Sequence, residues 1–131
     1  MSTQKHILVT GANGQLGMEF RALEKNYPGY RFLFTTREEL PVNDEDAINA
    51  FFVKHAISHC INCAAYTAVD KAEDDRDAAF LANAQAVTWL AEATQRAGIP
   101  LIHVSTDYVF DGSKASPYTE DDPVAPLGVY G

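Results

Sequence analysis

The stretch Gly11-Ala12-Asn13-Gly14-Gln15-Leu16-Gly17 decides the fold of this chain. It follows an apolar run at residues 6–10, which is typical of a buried parallel strand, and it opens a segment with the apolar spacing of a helix. A strand, a glycine-rich turn and a helix N-terminus form a binding site for pyrophosphate, because the backbone N–H groups point at the anion. The stretch therefore predicts a nucleotide-binding α/β fold, with a purely structural loop as the alternative.

The glycines of this loop each have a predicted role. Gly11 permits a turn that a Cβ would obstruct, Gly14 lets backbone N–H groups approach phosphate oxygens, and Gly17 lets the helix pack closely. The spacing GxxGxxG resembles that of the extended members of the short-chain dehydrogenase/reductase superfamily. The predicted cofactor contacts in the loop are Gly11, Asn13, Gly14, Gln15, Leu16 and Gly17.

Composition is that of one ordinary globular domain. The chain has 131 residues, of which 47% are hydrophobic and 21% charged, and its net charge is −8. This negative charge disfavours nucleic acid and anionic lipid as partners. No apolar run reaches membrane-spanning length, and the first five residues do not resemble a signal peptide, so we expect a cytoplasmic location.

Four strands alternate with helices along the chain. Beyond residues 6–10, strands are predicted at residues 30–35, 58–65 and 101–105. Right-handed crossovers then give a Rossmann-like, doubly wound parallel sheet with strand order 2-1-3-4. The switch-point crevice of such a sheet lies beside the glycine loop.

Helices are predicted between these strands from apolar spacing and end signals. The first runs from Gln15 to about residue 27, the second begins after Asn43 or Asp44 as N-cap, and the third ends at Gly98. The predicted inward-facing residues are Leu16, Phe20 and Leu23 in the first helix, Ile48, Phe51 and Phe52 in the second, and Phe80, Asn83, Val87, Leu90 and Thr94 in the third.

Residues with metal-ligating chemistry are interpreted structurally. Cys60 and Cys63 form a CxxC without a second ligand pair, which favours buried inert thiols over a redox pair or a zinc site. A group of five carboxylates at residues 70–77 is interpreted as the charged start of a helix rather than as a divalent-ion site. The histidines show no ligand spacing, and His6 and His103 are predicted at the edge of the core, so no metal is predicted. The carboxylates are Asp70, Glu73, Asp74, Asp75 and Asp77.

Three further blocks carry a more specific resemblance. They are NCAAYTAVDKAE at residues 62–73, STDYVFDG at residues 105–112 and PLGVYG at residues 126–131. Together with the glycine loop, in this order, they resemble the dTDP-4-dehydrorhamnose reductase family across nearly the whole chain. The resemblance implies reduction of a nucleotide-linked 4-keto sugar by hydride from a nicotinamide cofactor.

The resemblance also implies roles for individual residues. Tyr130 matches the family's catalytic tyrosine, which gives a proton to the carbonyl oxygen, and Thr106 matches the hydroxyl residue that hydrogen-bonds the same oxygen. Small side chains at strand ends let a ligand lie against the backbone. The predicted cofactor contacts after the third and fourth strands are Ala64, Ala65, Tyr66 and Ser105.

Arg37 stands near the end of the second strand, where relatives often carry an acidic residue for the ribose diol. A guanidinium there suits a 2′-phosphate, so NADPH is the predicted cofactor and NADH remains possible; a solvated surface arginine is the alternative. Pro41 and Val42 replace the family's Asp-Ile pair beside adenine, so no ligand contact is predicted there. Gly128 replaces a common asparagine.

The family's lysine is expected four residues after Tyr130, beyond the end of this sequence. We therefore expect residues 1–131 to be a truncated NAD(P)-binding domain without the substrate-binding carboxy-terminal part. We also expect Tyr130 to fray and the piece alone to be inactive, and an oligomer is possible for the full-length protein.

Two other functions remain open. One is another nucleotide-sugar epimerase or dehydratase on the same scaffold. The other is a non-catalytic NADP-binding regulatory subunit, as in the regulatory β subunit of methionine adenosyltransferase. The presence of both Thr106 and Tyr130 favours catalysis.

Overall fold

The computed structural model describes residues 4–131. Residues 1–3, which belong to the stretch predicted not to be a signal peptide, lie outside the described residues. Four parallel strands form one sheet in the order β2-β1-β3-β4. This confirms the predicted doubly wound topology. The strands are β1 Lys5–Thr10, β2 Tyr30–Phe34, β3 Ile57–Asn62 and β4 Leu101–His103.

The helices lie between the strands as the pattern predicts. A short 3₁₀ turn, Glu24–Asn26, extends the first of them. The third is preceded by two short helices and interrupted by a π-helical turn, Leu81–Gln85. The helices are α1 Gln15–Leu23, α2 Glu45–Lys54, α3 Val69–Ala72, α4 Arg76–Phe80 and α5 Ala86–Ala97.

The main core lies between the sheet and the helices α2 and α5. Leu8 and Cys60 are paired across β1 and β3, and both pack in one cluster with Ile48 and Leu90. Phe51 and Phe52 pack against the same cluster, as predicted for the inner face of α2. Since side chains alternate along a strand, Val9 faces the other side of the sheet, where it is fully buried.

The ends of α2 and α5 follow their predicted signals. The Asp44 carboxylate accepts a hydrogen bond of 3.0 Å from the N–H of Ala47, so Asp44 rather than Asn43 is the N-cap. Gly98 has a left-handed conformation, and its N–H bonds to the last carbonyls of α5.

The prediction that Phe80 lies on the inner face of the long helix is wrong, since this residue is 53% exposed. The buried residues Ala79, Ala86, Leu90 and Ala93 recur at intervals of seven, four and three, so the buried stripe passes through Ala79 and leaves Phe80 about 100° away around the helix. Ala79 before the π turn and Ala86, Leu90, Ala93 and Thr94 after it are the buried residues.

The apolar stripe of α1 is also less buried than predicted. Leu16 and Leu23 are 40% and 41% exposed, and the buried residue of this helix is Gly17. A Cβ at Gly17 would lie 2.6 Å from Ala12 Cα and 2.7 Å from Gly11 O. The helix α1 therefore packs on the glycine loop through close backbone contact rather than through interlocking of large side chains.

We predict that Gly17→Ala destabilises the protein. Alanine is favoured over glycine in a helix by about 1 kcal/mol, but the new Cβ would meet backbone atoms that cannot move aside, a strain of about 1–3 kcal/mol or more. The free energy of unfolding in urea should therefore fall. Gly29→Ala is the matched control, since nothing lies within 4 Å of that position. An equal or higher stability of Gly17→Ala would contradict the close packing.

Candidate functional site

A cavity of about 730 Å³ opens at the carboxyl ends of the strands, where the loops after β1, β2 and β3 meet. Its size lies within the range of small-molecule sites. It is bounded by the glycine loop, the segment after β2, the loop after β3, and the residues around α4 and the π turn. The lining residues are Gly11, Asn13, Gly14, Thr36, Arg37, Glu38, Leu40, Val42, Asn43, Cys63, Ala64, Ala65, Tyr66, Lys71, Asp75, Ala78, Leu81 and Ala82.

The glycine loop forms one wall of this cavity with its backbone. Gly11 has a φ of 60°, and a Cβ there would lie 2.6 Å from the backbone nitrogen of Ala64. Gly14 precedes α1 without a side-chain cap, which leaves the N–H groups of the first turn available to an anion. The loop is thus shaped for contact between backbone and ligand.

Asn62 fixes the turn that brings the loop after β3 against Gly11. Its side chain is almost fully buried at 2% exposure. Its Oδ1 accepts hydrogen bonds from the Thr10 hydroxyl at 2.6 Å and from the Ala64 N–H at 3.2 Å. Its Nδ2 lies 3.1 Å from Nδ1 of His103. One amide therefore joins the ends of β1, β3 and β4 directly beneath the cavity.

Asn83 holds the next part of that loop from the π turn. Its Oδ1 accepts from the backbone N–H of Tyr66, and its Nδ2 donates to the carbonyl of Tyr66, both at 2.8 Å. The Tyr66 hydroxyl donates to Asp75 at 3.2 Å. Partial burial, together with the charge of Asp75, raises the pKa of Tyr66. π turns often occur at functional sites, and this one aims Asn83 at the loop.

Two basic side chains, Arg37 and Lys71, line the cavity of this acidic protein. Among residues 4–131 the one ion pair joins Lys114 and Asp122, so neither Arg37 nor Lys71 forms a salt bridge, although the carboxylates of Glu38 and Asp75 line the same cavity. Both basic side chains are exposed. The cavity lining is therefore balanced in charge within a protein that is negative as a whole, and either basic side chain can contact an anionic group at the rim.

Seven of the predicted cofactor residues line this cavity and four do not. Gln15 and Leu16 point outward on α1, and Gly17 is buried under the loop. Ser105 does not line the cavity, because β4 ends at His103 and the following residues are exposed. β3 likewise ends at Asn62 rather than at Ala65. The residues that line the cavity as predicted are Gly11, Asn13, Gly14, Arg37, Ala64, Ala65 and Tyr66.

Sequence reasoning missed several residues of the site. Val42 lines the cavity although no contact was predicted there, Asp75 was assigned to a charged helix start, and Lys71 was given no role. Asn62 could have been found from a local signal, since it is a polar residue at the end of an otherwise buried strand. Asn83 was predicted to face inward, but its hydrogen bonds to Tyr66 were not, because that partner lies 17 residues away.

Thr106 and Tyr130 lie outside this cavity. The Thr106 hydroxyl caps the 3₁₀ turn Asp107–Val109 by accepting from the Tyr108 N–H at 3.2 Å, and it donates to Asp107 at 3.4 Å. Tyr130 lines two hollows of about 420 and 630 Å³, neither of which includes Thr106. Among the described residues no hydrogen bond joins Thr106 to Tyr130, and no cavity is lined by both.

Tyr130, for which the sequence predicts a frayed chain end, makes defined contacts in the structure. This residue is half-buried, and its ring packs edge-on against Tyr108 with the centroids 5.5 Å apart. The N–H of the preceding Val129 donates to Glu73 at 2.8 Å. Contacts distant in sequence hold the segment that carries Tyr130.

The cysteines have the properties of inert thiols. Burial raises the pKa of Cys60 to about 12 and also raises that of Cys63, so both stay protonated near neutral pH. Both are free. Within residues 4–131 there is no cluster of three or more His, Cys, Asp or Glu side chains suited to a metal ion. Nor does this part of the chain contain a helix long and apolar enough to cross a membrane.

The parallel sheet, its strand order and the glycine loop define a Rossmann-like domain. A family profile described as "RmlD substrate binding domain" matches residues 5–131. The chain belongs to this family.

Relatives with known names agree with this assignment. The dTDP-4-dehydrorhamnose reductase of Burkholderia thailandensis is 43% identical, over 95% of this chain and 41% of its own length. A probable dTDP-4,6-dihydroxy-2-methyloxan-3-one 4-ketoreductase of Streptomyces antibioticus is 45% identical, over 95% and 42%. The crystal structure of dTDP-4-dehydrorhamnose reductase from Bacillus anthracis in complex with NADP has a TM-score of 0.93 and 34% identity, over 98% and 45%. The chain thus spans less than half the length of these relatives.

We predict that His103 makes the stability of the protein depend on pH. Since Oδ1 of Asn62 accepts two donors, its Nδ2 must donate, and Nδ1 of His103 must accept as an unprotonated nitrogen. Partial burial lowers the pKa of His103 below its ordinary value of 6.5. The unfolded chain then binds the proton more readily, so this stabilisation is complete above pH 6.5 and is lost as the pH falls below it.

The measurement is urea unfolding of the wild type and of His103→Gln between about pH 5 and pH 8. The decline in stability below pH 6.5 should be smaller in His103→Gln. His55→Gln, which removes a histidine packed on Phe51, is the control. Identical pH profiles for the wild type and His103→Gln would show that the network tolerates the protonated ring.

Proposed function

We propose that the full-length protein is an NADPH-dependent reductase of a nucleotide-linked 4-keto sugar, converting dTDP-4-dehydrorhamnose to dTDP-rhamnose. One observation carries the proposal. The segment at residues 62–73 lines the large cavity with Ala64, Ala65 and Tyr66, and it lines the hollows beside Tyr130 with Glu73. A single stretch of chain thus connects the candidate cofactor site to the candidate catalytic tyrosine.

The residues of the large cavity fit a dinucleotide. A Cβ at Gly11 would clash with Ala64, so the backbone of this loop can lie against a ligand only because the side chain is absent. The N–H groups of Ala12 and Gly14 already donate to the carbonyls of Thr35 and Gly11. Those of the first turn of α1 would hold the pyrophosphate, and Arg37 would hold a 2′-phosphate. When bound, NADPH supplies the hydride. The Bacillus anthracis structure, which contains NADP, supports this choice of cofactor.

The roles proposed for Thr106 and Tyr130 rest on the resemblance to the reductase family and suit the hydroxyl groups that these residues carry. The Tyr130 hydroxyl gives a proton to the carbonyl oxygen of the sugar as hydride reaches the carbon. The Thr106 hydroxyl donates a second hydrogen bond to that oxygen and stabilises its developing charge. The Thr106 hydroxyl oxygen lies 3.4 Å from the Asp107 carboxylate oxygen that accepts its hydrogen bond. This bond is long and weak, so it is easily exchanged for one to substrate.

The named relatives support the class of substrate. The Burkholderia and Streptomyces proteins are both named as reductases of a keto group on a dTDP-linked compound. A cytoplasmic location and an oligomeric full-length protein remain predictions from the sequence.

We predict that Arg37→Ala weakens NADPH binding selectively. The loss of one charge-assisted hydrogen bond at an exposed site should raise the Kd for NADPH about tenfold and leave that for NADH nearly unchanged. The measurement is a fluorescence titration of the full-length protein with each cofactor. Arg31→Ala removes an exposed arginine of β2 that does not line the cavity and serves as the control. An equal loss for both cofactors would mean that Arg37 does not contact the 2′-phosphate.

We predict that Tyr130→Phe lowers kcat about 10²–10⁴-fold, as expected for the loss of a general acid, while NADPH binds as before. The assay is the oxidation of NADPH by the full-length protein with dTDP-4-dehydrorhamnose, and Tyr27→Phe is the control for an exposed tyrosine. Wild-type protein that binds NADPH but does not turn over would favour the regulatory-subunit function. Conversion of a sugar nucleotide without net oxidation of NADPH would favour an epimerase.

A further inference from the structure

Glu73 connects the segment after β3 to the far end of the described chain. Its Oε1 accepts the hydrogen bond from the backbone N–H of Val129, 56 residues later in the sequence. The same side chain lines both hollows that contain Tyr130. Its carboxylate therefore lies against the backbone of the residue that directly precedes the candidate catalytic tyrosine.

The absence of a side chain at Gly128 leaves room for the Glu73 carboxylate. A Cβ at Gly128 would lie 2.9 Å from Glu73 Oε1. Because this atom is the tip of a flexible side chain, an alanine at 128 would not obstruct folding. It would instead push the carboxylate away from the Val129 N–H.

The other contacts of this segment lie on either side of Val129 and do not include its N–H. The Ala125 N–H, four residues before Val129, donates to the carbonyl of Val109 at 2.8 Å. The ring of Tyr130 packs against Tyr108, and the backbone of Gly131 lies so close to the Tyr108 carbonyl that a Cβ has no room there. The bond from Glu73 acts one residue before Tyr130, and a charged acceptor makes it stronger than a neutral one.

We propose that Glu73 is a positioning residue, which holds the backbone of Val129 so that the hydroxyl of Tyr130 lies at the reacting carbonyl. The proposal rests on the proposed function, in which Tyr130 supplies the proton. Glu73 itself does not touch the reacting atoms. Its effect is on geometry, and displacements of about 1 Å at a reacting group lower rates about a hundredfold.

Substitutions at Glu73 in the full-length protein test this role. Glu73→Ala should lower kcat for NADPH-dependent reduction of dTDP-4-dehydrorhamnose by about tenfold to a hundredfold, with an unchanged KM for NADPH. Glu73→Gln keeps an oxygen that can accept from Val129 and should stay within about threefold of the wild type. Asp74→Ala removes the neighbouring exposed carboxylate and should behave as the wild type.

Gly128→Ala tests the same contact from the other side. It should lower kcat as much as Glu73→Ala does. The double variant should lose no more than either single variant, because both changes break one hydrogen bond. Additive losses would overturn the proposal.

Hydrogen exchange of a peptide that contains Val129 gives a measurement independent of activity. Exchange should accelerate in Glu73→Ala and Gly128→Ala, but not in Glu73→Gln or Asp74→Ala. Unchanged exchange in Glu73→Ala, or a Glu73→Gln variant as slow in catalysis as Glu73→Ala, would overturn the proposal. If the unmodified protein protects this amide but reduces no substrate, the proposed function fails and the anchoring by Glu73 stands.

Discussion

The hydrogen-bonded junction of Thr10, Asn62 and Ala64 is the constraint on which the site depends. Asn62 is buried and receives donors from the end of β1 and from the turn after β3, while its own amide reaches His103 at the end of β4. Gly11 lies so close to Ala64 that a Cβ has no room between them. The loops after β1 and β3 are thus held as one unit, because a buried amide with all its partners in place tolerates few other arrangements.

The π turn extends this constraint to the far wall of the cavity. The turn carries Asn83, which faces Tyr66, and it lies between the buried residues Ala79 and Ala86. π-helical geometry is rare, and here it is accompanied by two hydrogen bonds of 2.8 Å to the loop after β3.

Charge is distributed unevenly between the site and the rest of the surface. The net charge of the chain is −8, whereas the cavity is lined by equal numbers of basic and acidic side chains, Arg37 and Lys71 with Glu38 and Asp75. The segment at residues 62–73 carries charges of both signs with separate contacts. Lys71 lines the cavity, and Glu73 accepts a hydrogen bond from the Val129 backbone N–H. Charged residues that are neighbours in one short stretch therefore have different structural roles.

The sequence by itself determined the order of strands and helices, the topology of the sheet and the glycine loop that forms one wall of the cavity, because these follow from apolar periodicity, caps and glycine spacing within short windows. Only the tertiary structure decided that Val42 and Lys71 line the cavity and Ser105 does not, that the long helix contains a π turn, and that Glu73 meets Val129. These features depend on contacts between residues far apart in the chain. No local pattern encodes such contacts, since the same carboxylate or amide would be equally compatible with solvent until packing places a partner beside it.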